Sequence, residues 1–254
     1  MLLNYKQTGT GPDLILMHGL FGSLENLNVI AKALSEHFTV YNVDLRNHGQ
    51  SFHSSDMNYL HMGNDIKALI DHLNIDKAHV VGHSMGGKVA MQFASMFEEC
   101  VNKLVVLDIA PVVYPPRHDE IIAGLNKVSE QANVLNRAHA DTILSDHIEM
   151  PGVRQFLLKS LAKTTTGELA WRFNLPGIAD NYAHIVANID NNQPCLCDTL
   201  FIKGNNSDYI LPEHREAIVT AFPKSSAKVI HGAGHWLHAE KPAAVNKSIL
   251  DFLQ

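Results

Sequence analysis

The sequence is poor in several features that would assign it to a particular class of protein. Its 254 residues include only three cysteines and two tryptophans, and charged residues make up only 18% of the chain. The three cysteines, Cys100, Cys195 and Cys197, are an odd set without a framework for paired disulfides. Such usage is typical of a protein in a reducing compartment, and we therefore expect a cytoplasmic protein.

Long apolar runs and clusters of basic residues are also scarce. No stretch approaches the length needed to span a bilayer, and the first residues lack the apolar core of a secretory signal. The net charge is −6, and lysine and arginine are scattered along the chain, unlike the basic patches of nucleic-acid-binding proteins. We expect neither a membrane nor a nucleic acid as a partner, and the sequence leaves the oligomeric state open.

Apolar residues and histidines are what the sequence has in quantity. Apolar residues make up 46% of the chain, enough for one large core, and there are 16 histidines. Metal sites often place two ligands on one helix face, as in the H-E-x-x-H motif, which does not occur here. His235 and His238 are three residues apart, but no carboxylate or thiolate cluster accompanies them. We predict no metal and no other cofactor.

Strand and helix patterns alternate through the first 110 residues. Apolar runs typical of buried strands occupy residues 14–17, 39–43, 78–81 and 104–107. Stripes at helical spacing lie between and beside them, at residues 27–34, 66–73 and 89–94, and Ser23 is the expected N-cap of the first helix. This alternation predicts an α/β fold with a mostly parallel sheet flanked by helices.

The pattern changes after Pro111. Helical stripes at residues 121–128 and 153–161 follow, without a convincing buried strand, and strand and helix patterns return at residues 200–204, 227–230 and 244–252. A stretch of about 80 residues without a buried strand is too long for an ordinary loop. We predict a core of residues 1–112 and 193–254, with residues 113–192 inserted as a helical cap after the strand ending near Leu107. Because sites in such sheets lie at the C-terminal ends of strands, the cap would cover the site as a lid.

A Gly-x-Ser-x-Gly motif marks a candidate nucleophile. Residues 82–86 (GHSMG) follow an apolar run and precede a helix-forming one. This is the context of a nucleophile elbow, in which glycines permit close packing on either side of the serine. The serine hydroxyl then lies at the start of a helix, where the helix dipole favours an oxyanion. Ser84 is therefore the candidate nucleophile.

A serine nucleophile needs a histidine base and an orienting carboxylate, which follow it along the chain in this class of fold. His235 lies in a glycine-containing loop after the last strand, whereas His238 lies further into the next segment and is interpreted as structural. Two acids are candidates. Asp108 directly follows the strand at residues 104–107, and we favour it. Asp208 follows the next strand, one residue later than the usual position, and is kept as an alternative.

An oxyanion hole needs two backbone N–H donors that converge on the developing charge. Met85, directly after the candidate nucleophile, would supply one. Leu20, in the glycine-containing loop after the first buried strand, would supply the other, with Phe21 as the alternative. His18 and His83 flank this region, and we interpret both as bracing the loops through hydrogen bonds.

Together these segments resemble the α/β-hydrolase superfamily over essentially the whole chain and, within it, the YbfF-type bacterial esterases. The matching stretches are residues 18–23, 46–49, 82–88, 108–111, 117–121, 155–160, 171–174 and 232–236. The resemblance implies an α/β-hydrolase fold and a serine esterase or thioesterase that acts on small or acyl-CoA-like esters. It also implies that Asp108 is the acid.

These observations predict a carboxylic ester hydrolase that forms an acyl-enzyme on Ser84, with a small-molecule ester or thioester as its substrate. Phe21, Trp236, Phe156 and Leu157 would line an apolar pocket for the acyl group. Two alternatives remain. One is a carbon–carbon bond hydrolase or cofactor-free lyase on the same triad, and the other is a non-catalytic binding protein with a hydrolase fold.

Overall fold

The computed structural model describes residues 1–131 and 136–254, and residues 132–135 of the predicted cap lie outside the described residues. In the described ranges the strands are β1 (Tyr5–Thr8), β2 (Asp13–Met17), β3 (Thr39–Val43), β4 (Ala78–His83), β5 (Val101–Leu107), β6 (Leu161–Lys163), β7 (Leu169–Trp171), β8 (Asp198–Gly204) and β9 (Ser225–Ile230).

The helices in the same ranges are α1 (Asn28–Leu34), α2 (Tyr59–Leu73), α3 (Met85–Met96), α4 (Asp119–Glu130), α5 (Arg137–Ser145), α6 (Pro151–Leu158), α7 (Leu175–Asp180), α8 (Tyr182–Val186), α9 (Arg215–Ala221), α10 (Leu237–Glu240) and α11 (Pro242–Leu253). A short 3-10 turn, Leu24–Leu27, precedes α1, so Ser23 lies before this turn rather than at the start of the α-helix.

Among the described residues, seven strands form one sheet in the order β1-β3-β2-β4-β5-β8-β9. Only β1 runs antiparallel to its neighbour, and the other neighbouring strands are parallel. The predicted mostly parallel sheet flanked by helices is therefore confirmed. Parallel strands place their C-terminal ends along one edge, so the loops that follow β2, β3, β4, β5 and β8 share that edge.

Both faces of the sheet are buried, which explains the continuous apolar runs. In β2, Leu14 and Leu16 pack into the cluster on one face, whereas Ile15 and Met17 pack into the cluster on the other. Side chains alternate between the faces of a strand, so a strand covered by helices on both sides needs apolar residues at every position.

Two parts of the fold differ from the sequence prediction. The edge strand β1 was not predicted, because its residues are half-buried or exposed and lack an apolar run. The stripe predicted as helical over residues 153–161 is wrong at its end, since α6 stops at Leu158 and Leu161 begins β6. β6 pairs antiparallel with β7 in a small hairpin, after the chain turns at Lys159 and Ser160.

The segment between β5 and β8 lies over the C-terminal edge of the sheet. It contains α4 to α8 and the hairpin, and we call residues 113–192 the insert. The Asn174 N–H donates to the carbonyl of Asn47 in the loop after β3, at 2.8 Å. The Tyr59 hydroxyl of α2 donates to the carbonyl of Ile185 at 2.5 Å. These contacts hold the insert against the loop after β3 and against α2.

Two further observations concern the described ranges. No helix in residues 1–131 and 136–254 combines the length and apolar composition needed to cross a bilayer. All three cysteines are buried free thiols.

Candidate active site

Ser84 lies in a sharp turn between β4 and α3. Its backbone has a φ of 54° and a ψ of −121°, and α3 begins at the next residue, Met85. A Cβ at Gly82 would overlap the carbonyl of Gly86, and one at Gly86 would overlap the carbonyls of Met17 and His18. Only glycine fits at both positions, and the turn raises the Ser84 hydroxyl at the N-terminal end of the helix.

Three side chains from distant parts of the chain form one hydrogen-bonded series. The Ser84 Oγ is 2.9 Å from Nε2 of His235, whose Nδ1 is 2.8 Å from Oδ2 of Asp108. A carboxylate can only accept, so Nδ1–H donates to Asp108 and Nε2 is left to accept the serine proton. The structure thus brings together the three residues that the sequence selected.

The Asp108 carboxylate is fully buried but well supplied with donors. The Gly204 N–H donates to Oδ1 at 2.9 Å, and the Ser207 hydroxyl donates to Oδ2 beside His235. Donors on both oxygens offset the cost of burying a charged group. They also fix the plane of the carboxylate, so Asp108 directs the imidazole of His235 toward Ser84.

Asp208, the alternative acid, lies outside this series. Its side chain is 67% exposed and accepts a hydrogen bond from Nη1 of Arg117 at 2.9 Å. The Arg117 guanidinium lies 5.0 Å from the centre of the Tyr209 ring, and the His235 ring stacks on Tyr209 with the ring centres 3.8 Å apart. Asp208 therefore holds a cation over Tyr209 and does not orient the imidazole.

Three further imidazoles surround His235 and carry no charge near neutral pH. Burial lowers the pKa of His118 and of His238 to about 4 and holds the pKa of His83 well below its usual value. His83 Nε2–H donates to the backbone carbonyl of His235 at 2.9 Å, which is the loop bracing interpreted from the sequence. A positive charge that forms on His235 consequently meets no neighbouring imidazolium.

The backbone beside Ser84 offers two unpaired donors. Within the part of the chain that the structure describes, the N–H groups of Leu20 and Met85 meet no hydrogen-bond acceptor. The Phe21 N–H, the alternative donor, is occupied, because it donates to Nε2 of His48 at 3.1 Å. Of the two residues in this loop that the sequence proposed, only Leu20 has a free N–H.

A cavity of about 800 Å³ opens onto Ser84 and His235, between the insert and the edge of the sheet. Phe21, Trp236, Phe156 and Leu157, the four residues predicted for the acyl pocket, all line it. Phe156 comes from the insert and Trp236 from the loop after β9, and their ring centres lie 6.0 Å apart. The walls are mainly apolar, which suits an acyl chain.

Sequence reasoning missed two residues of the site. Ser207 occupies the position three residues after Gly204, where hydrolases of this fold usually have the acid. The serine at this position was a sign in the sequence that the acid lies elsewhere. The Ser207 hydroxyl donates to the carboxylate of Asp108, which takes the place of the acid expected at position 207. Tyr209, which stacks on His235, left no signal, because ring stacking depends on how two loops meet in three dimensions.

Groups of three or more histidine, cysteine, aspartate or glutamate side chains placed to hold a metal ion are absent from the described residues. The abundant histidines near Ser84 instead form hydrogen bonds and ring contacts with one another, such as the 4.4 Å packing of His83 on His238.

Comparison with known proteins identifies the family. Residues 12–242 match the family with the alpha/beta hydrolase fold, and the chain belongs to that family. It is 45% identical to esterase YbfF of Escherichia coli over 94% of this chain and 92% of that protein. The resemblance to YbfF-type esterases is thereby confirmed.

Two other relatives agree with this assignment. The chain is 38% identical to the sn-1-specific diacylglycerol lipase ABHD11 of Mus musculus, over 96% of this chain and 81% of that protein. The solved structure of a marine microorganism esterase superposes with a TM-score of 0.96 at 37% identity, with 99% of each chain covered.

Proposed function

We propose that this protein is a serine esterase that hydrolyses carboxylic esters through an acyl-enzyme on Ser84. The observation that carries the proposal is the series from Asp108 through His235 to Ser84, whose Ser84 end lines a mainly apolar cavity. The identity to esterases and a lipase over nearly the whole chain supports an ester as the substrate.

The first half of the reaction forms the acyl-enzyme. His235 Nε2 takes the proton from the Ser84 hydroxyl while Oγ attacks the carbonyl carbon of the ester, and the carbonyl electrons move onto oxygen. The N–H groups of Leu20 and Met85 stabilise this oxyanion, and each such donor is worth roughly 10²–10³ in turnover. The tetrahedral intermediate then expels the alkoxide, which takes the proton from Nε2.

The second half releases the acid. A water molecule gives its proton to Nε2 of His235 and attacks the acyl carbon, and the oxyanion forms again at the same two N–H groups. Collapse of this intermediate expels the Ser84 oxygen, which regains its proton from Nε2. Asp108 holds the tautomer and stabilises the imidazolium in both halves without accepting the proton.

The cavity indicates which part of the substrate the protein recognises. Its apolar walls accept an acyl chain, and the steps above are the same for an alcohol or a thiol as the leaving group. We therefore include acyl thioesters as a second substrate class.

The test measures hydrolysis of p-nitrophenyl esters from acetyl to palmitoyl, beside acyl thioesters of the same chains. We expect Ser84→Ala to lower kcat by at least about 10⁴-fold, because the nucleophile is lost. The matched control is Ser95→Ala on the same helix, whose hydroxyl donates only to the Met91 carbonyl. This control should keep the activity of the unmodified protein.

Other outcomes separate the alternatives. Substantial activity in Ser84→Ala would contradict the proposal. A serine that reacts with a fluorophosphonate probe without turnover of any ester or thioester would favour the carbon–carbon hydrolase or lyase. A protein that neither turns over substrate nor reacts with the probe would favour a non-catalytic binding protein.

A further inference from the structure

The turn that carries the Leu20 N–H is strained. The Gly22 N–H closes the turn on the Gly19 carbonyl at 3.1 Å, and Phe21, its third residue, has a φ of 59°. A positive φ at this position is the feature of a type II turn, which normally requires glycine or asparagine. A phenylalanine keeps this conformation only where its surroundings enforce it.

The peptide groups on either side of Phe21 are held from two directions. His48 donates its Nδ1–H to the Arg46 carbonyl at 2.9 Å, which leaves Nε2 to accept the Phe21 N–H at 3.1 Å. Burial lowers the pKa of His48 to about 3, so this imidazole stays neutral and the acceptor persists. The Phe21 carbonyl, by contrast, is held from the insert, where the Ser160 hydroxyl donates to it at 3.1 Å.

Ser160 is a rigid donor. It is 3% exposed and lies at the junction between α6 and the β6–β7 hairpin. Its own N–H donates to the Leu157 carbonyl at 2.9 Å, and its carbonyl accepts from the Arg172 N–H at 2.8 Å. The backbone that carries the hydroxyl is therefore anchored within the insert, and the hydroxyl links the insert to the Phe21 carbonyl.

Resting on the proposed function, we infer that Ser160 is a positioning residue for the oxyanion hole. It acts through the Phe21 carbonyl and keeps the strained turn in the orientation that directs the Leu20 N–H at the developing charge. Without this hydroxyl, the buried carbonyl loses its donor and the turn relaxes toward a negative φ. The hole is thus completed by the insert, although both of its donors belong to the core.

The test compares Ser160→Ala and the nearly isosteric Ser160→Cys with the unmodified protein. We expect kcat to fall by about 10–100-fold with KM changed by less than about 3-fold, because the lost interaction acts only in the transition state. Binding of a trifluoromethyl ketone, which forms an oxyanion adduct with an active serine, should weaken by the same factor as kcat/KM. Ser160→Cys replaces the hydroxyl with a somewhat larger thiol, which is only a weak donor, and provides the same readout if the alanine variant folds poorly.

Two controls isolate the effect. Glu25→Gln removes the charge from another contact between insert and core, the ion pair of Glu25 with Arg172 at 2.9 Å, and should leave kcat and ketone binding unchanged. Ser129→Ala removes a hydroxyl that donates only within α4, to the Leu125 carbonyl, and should behave likewise.

The possible failures are distinguishable. If the unmodified protein hydrolyses esters but the Ser160 variants keep both kcat and ketone binding, the positioning role is wrong and the proposed function stands. If KM rises while ketone binding is kept, Ser160 serves substrate binding and the positioning role is equally wrong. If the unmodified protein hydrolyses no ester, the proposed function fails and this inference fails with it.

Discussion

Ser84 and Asp108 both have a φ of 54°, a conformation that residues other than glycine rarely adopt. Both residues belong to the site, and each lies directly after the C-terminal end of a central strand. Strain of this kind costs of order 1–3 kcal/mol per residue and persists where the neighbouring structure enforces it. At Ser84, the strained turn is what directs the hydroxyl toward His235.

This strain predicts that glycine at position 84 gives a more stable protein than alanine does. Ser84→Gly and Ser84→Ala both lack the hydroxyl, but only glycine adopts the positive φ without cost. We expect the free energy of unfolding of Ser84→Gly to exceed that of Ser84→Ala by about 1–2 kcal/mol. Chemical denaturation measures the difference, and an alanine variant as stable as the glycine variant would argue against strain at this position.

A second prediction at this scale separates the two candidate acids. Asp108→Asn should lower kcat by about 10⁴-fold, because the amide favours the wrong tautomer of His235. Asp208→Asn should change kcat by less than about 5-fold, since exposed ion pairs such as that with Arg117 contribute little. Steady-state kinetics of both variants is the measurement, and the reverse ranking would return the role of acid to Asp208.

At the scale of single elements, α3 links the candidate nucleophile to the insert. Lys88, one turn after Ser84, donates from Nζ to the carbonyls of Val112 and Ala187, at 2.7 and 2.5 Å. Gln92, a further turn along, exchanges two hydrogen bonds with the backbone of Asp190. Spacing by four residues places Ser84, Lys88 and Gln92 on one face of the helix. This face holds Val112, the residue directly before the insert, and the C-terminal end of the insert.

Because the amine of Lys88 is buried, we expect the free energy of unfolding to depend on pH. Lys88 is 1% exposed, and burial lowers the pKa of its amine from 10.5 to about 7. Between these values the unfolded chain binds the proton and the folded chain does not, so the free energy of unfolding rises with pH. Relative to Lys88→Met, the unmodified protein should gain about 2–5 kcal/mol between about pH 7 and pH 10.

Denaturation of both proteins across this pH range is the measurement. The rings facing Lys88 are Tyr59 and Tyr114, and burial raises the pKa of both phenols. Both tyrosines are present in the two proteins compared, so their own effect on stability near pH 10 cancels in the difference. A neutral amine still has two N–H donors for its two carbonyls, so the contacts survive its deprotonation. A difference that stays constant with pH would mean that Lys88 remains charged in the folded protein.

The elements differ in how far they could be predicted from the sequence. The strands β2 to β5 could be predicted because helices cover both faces of the sheet and require continuous apolar runs. The strand β1 could not, because it lies at the edge with exposed and half-buried residues. The hairpin β6–β7 was also missed, since strands of three residues are too short for a period to be visible.

At the scale of the whole molecule, the site depends on contacts between residues far apart in the chain. Motif and position selected Ser84 and His235, which lie 151 residues apart and meet at 2.9 Å. Spacing alone left Asp108 and Asp208 open, because the direction of a loop side chain is decided by tertiary packing. The contact of Ser160 with Phe21, across 139 residues, has no counterpart in any local pattern.

The insert and the core together form the proposed acyl pocket, and neither encloses it alone. Ile121, Val153 and Phe156 come from the insert, whereas Leu20 and Trp236 come from loops at the edge of the sheet. During turnover an acyl group must therefore enter this cavity and become attached to Ser84.

Mass spectrometry of the protein quenched during turnover of a p-nitrophenyl ester tests this requirement most directly. We predict that the intact mass increases by one acyl group and that the modified peptide carries it on Ser84. The increase should be absent from Ser84→Ala and present in Ser95→Ala. An acyl group found on another residue, or an adduct of equal abundance in Ser84→Ala, would contradict the account.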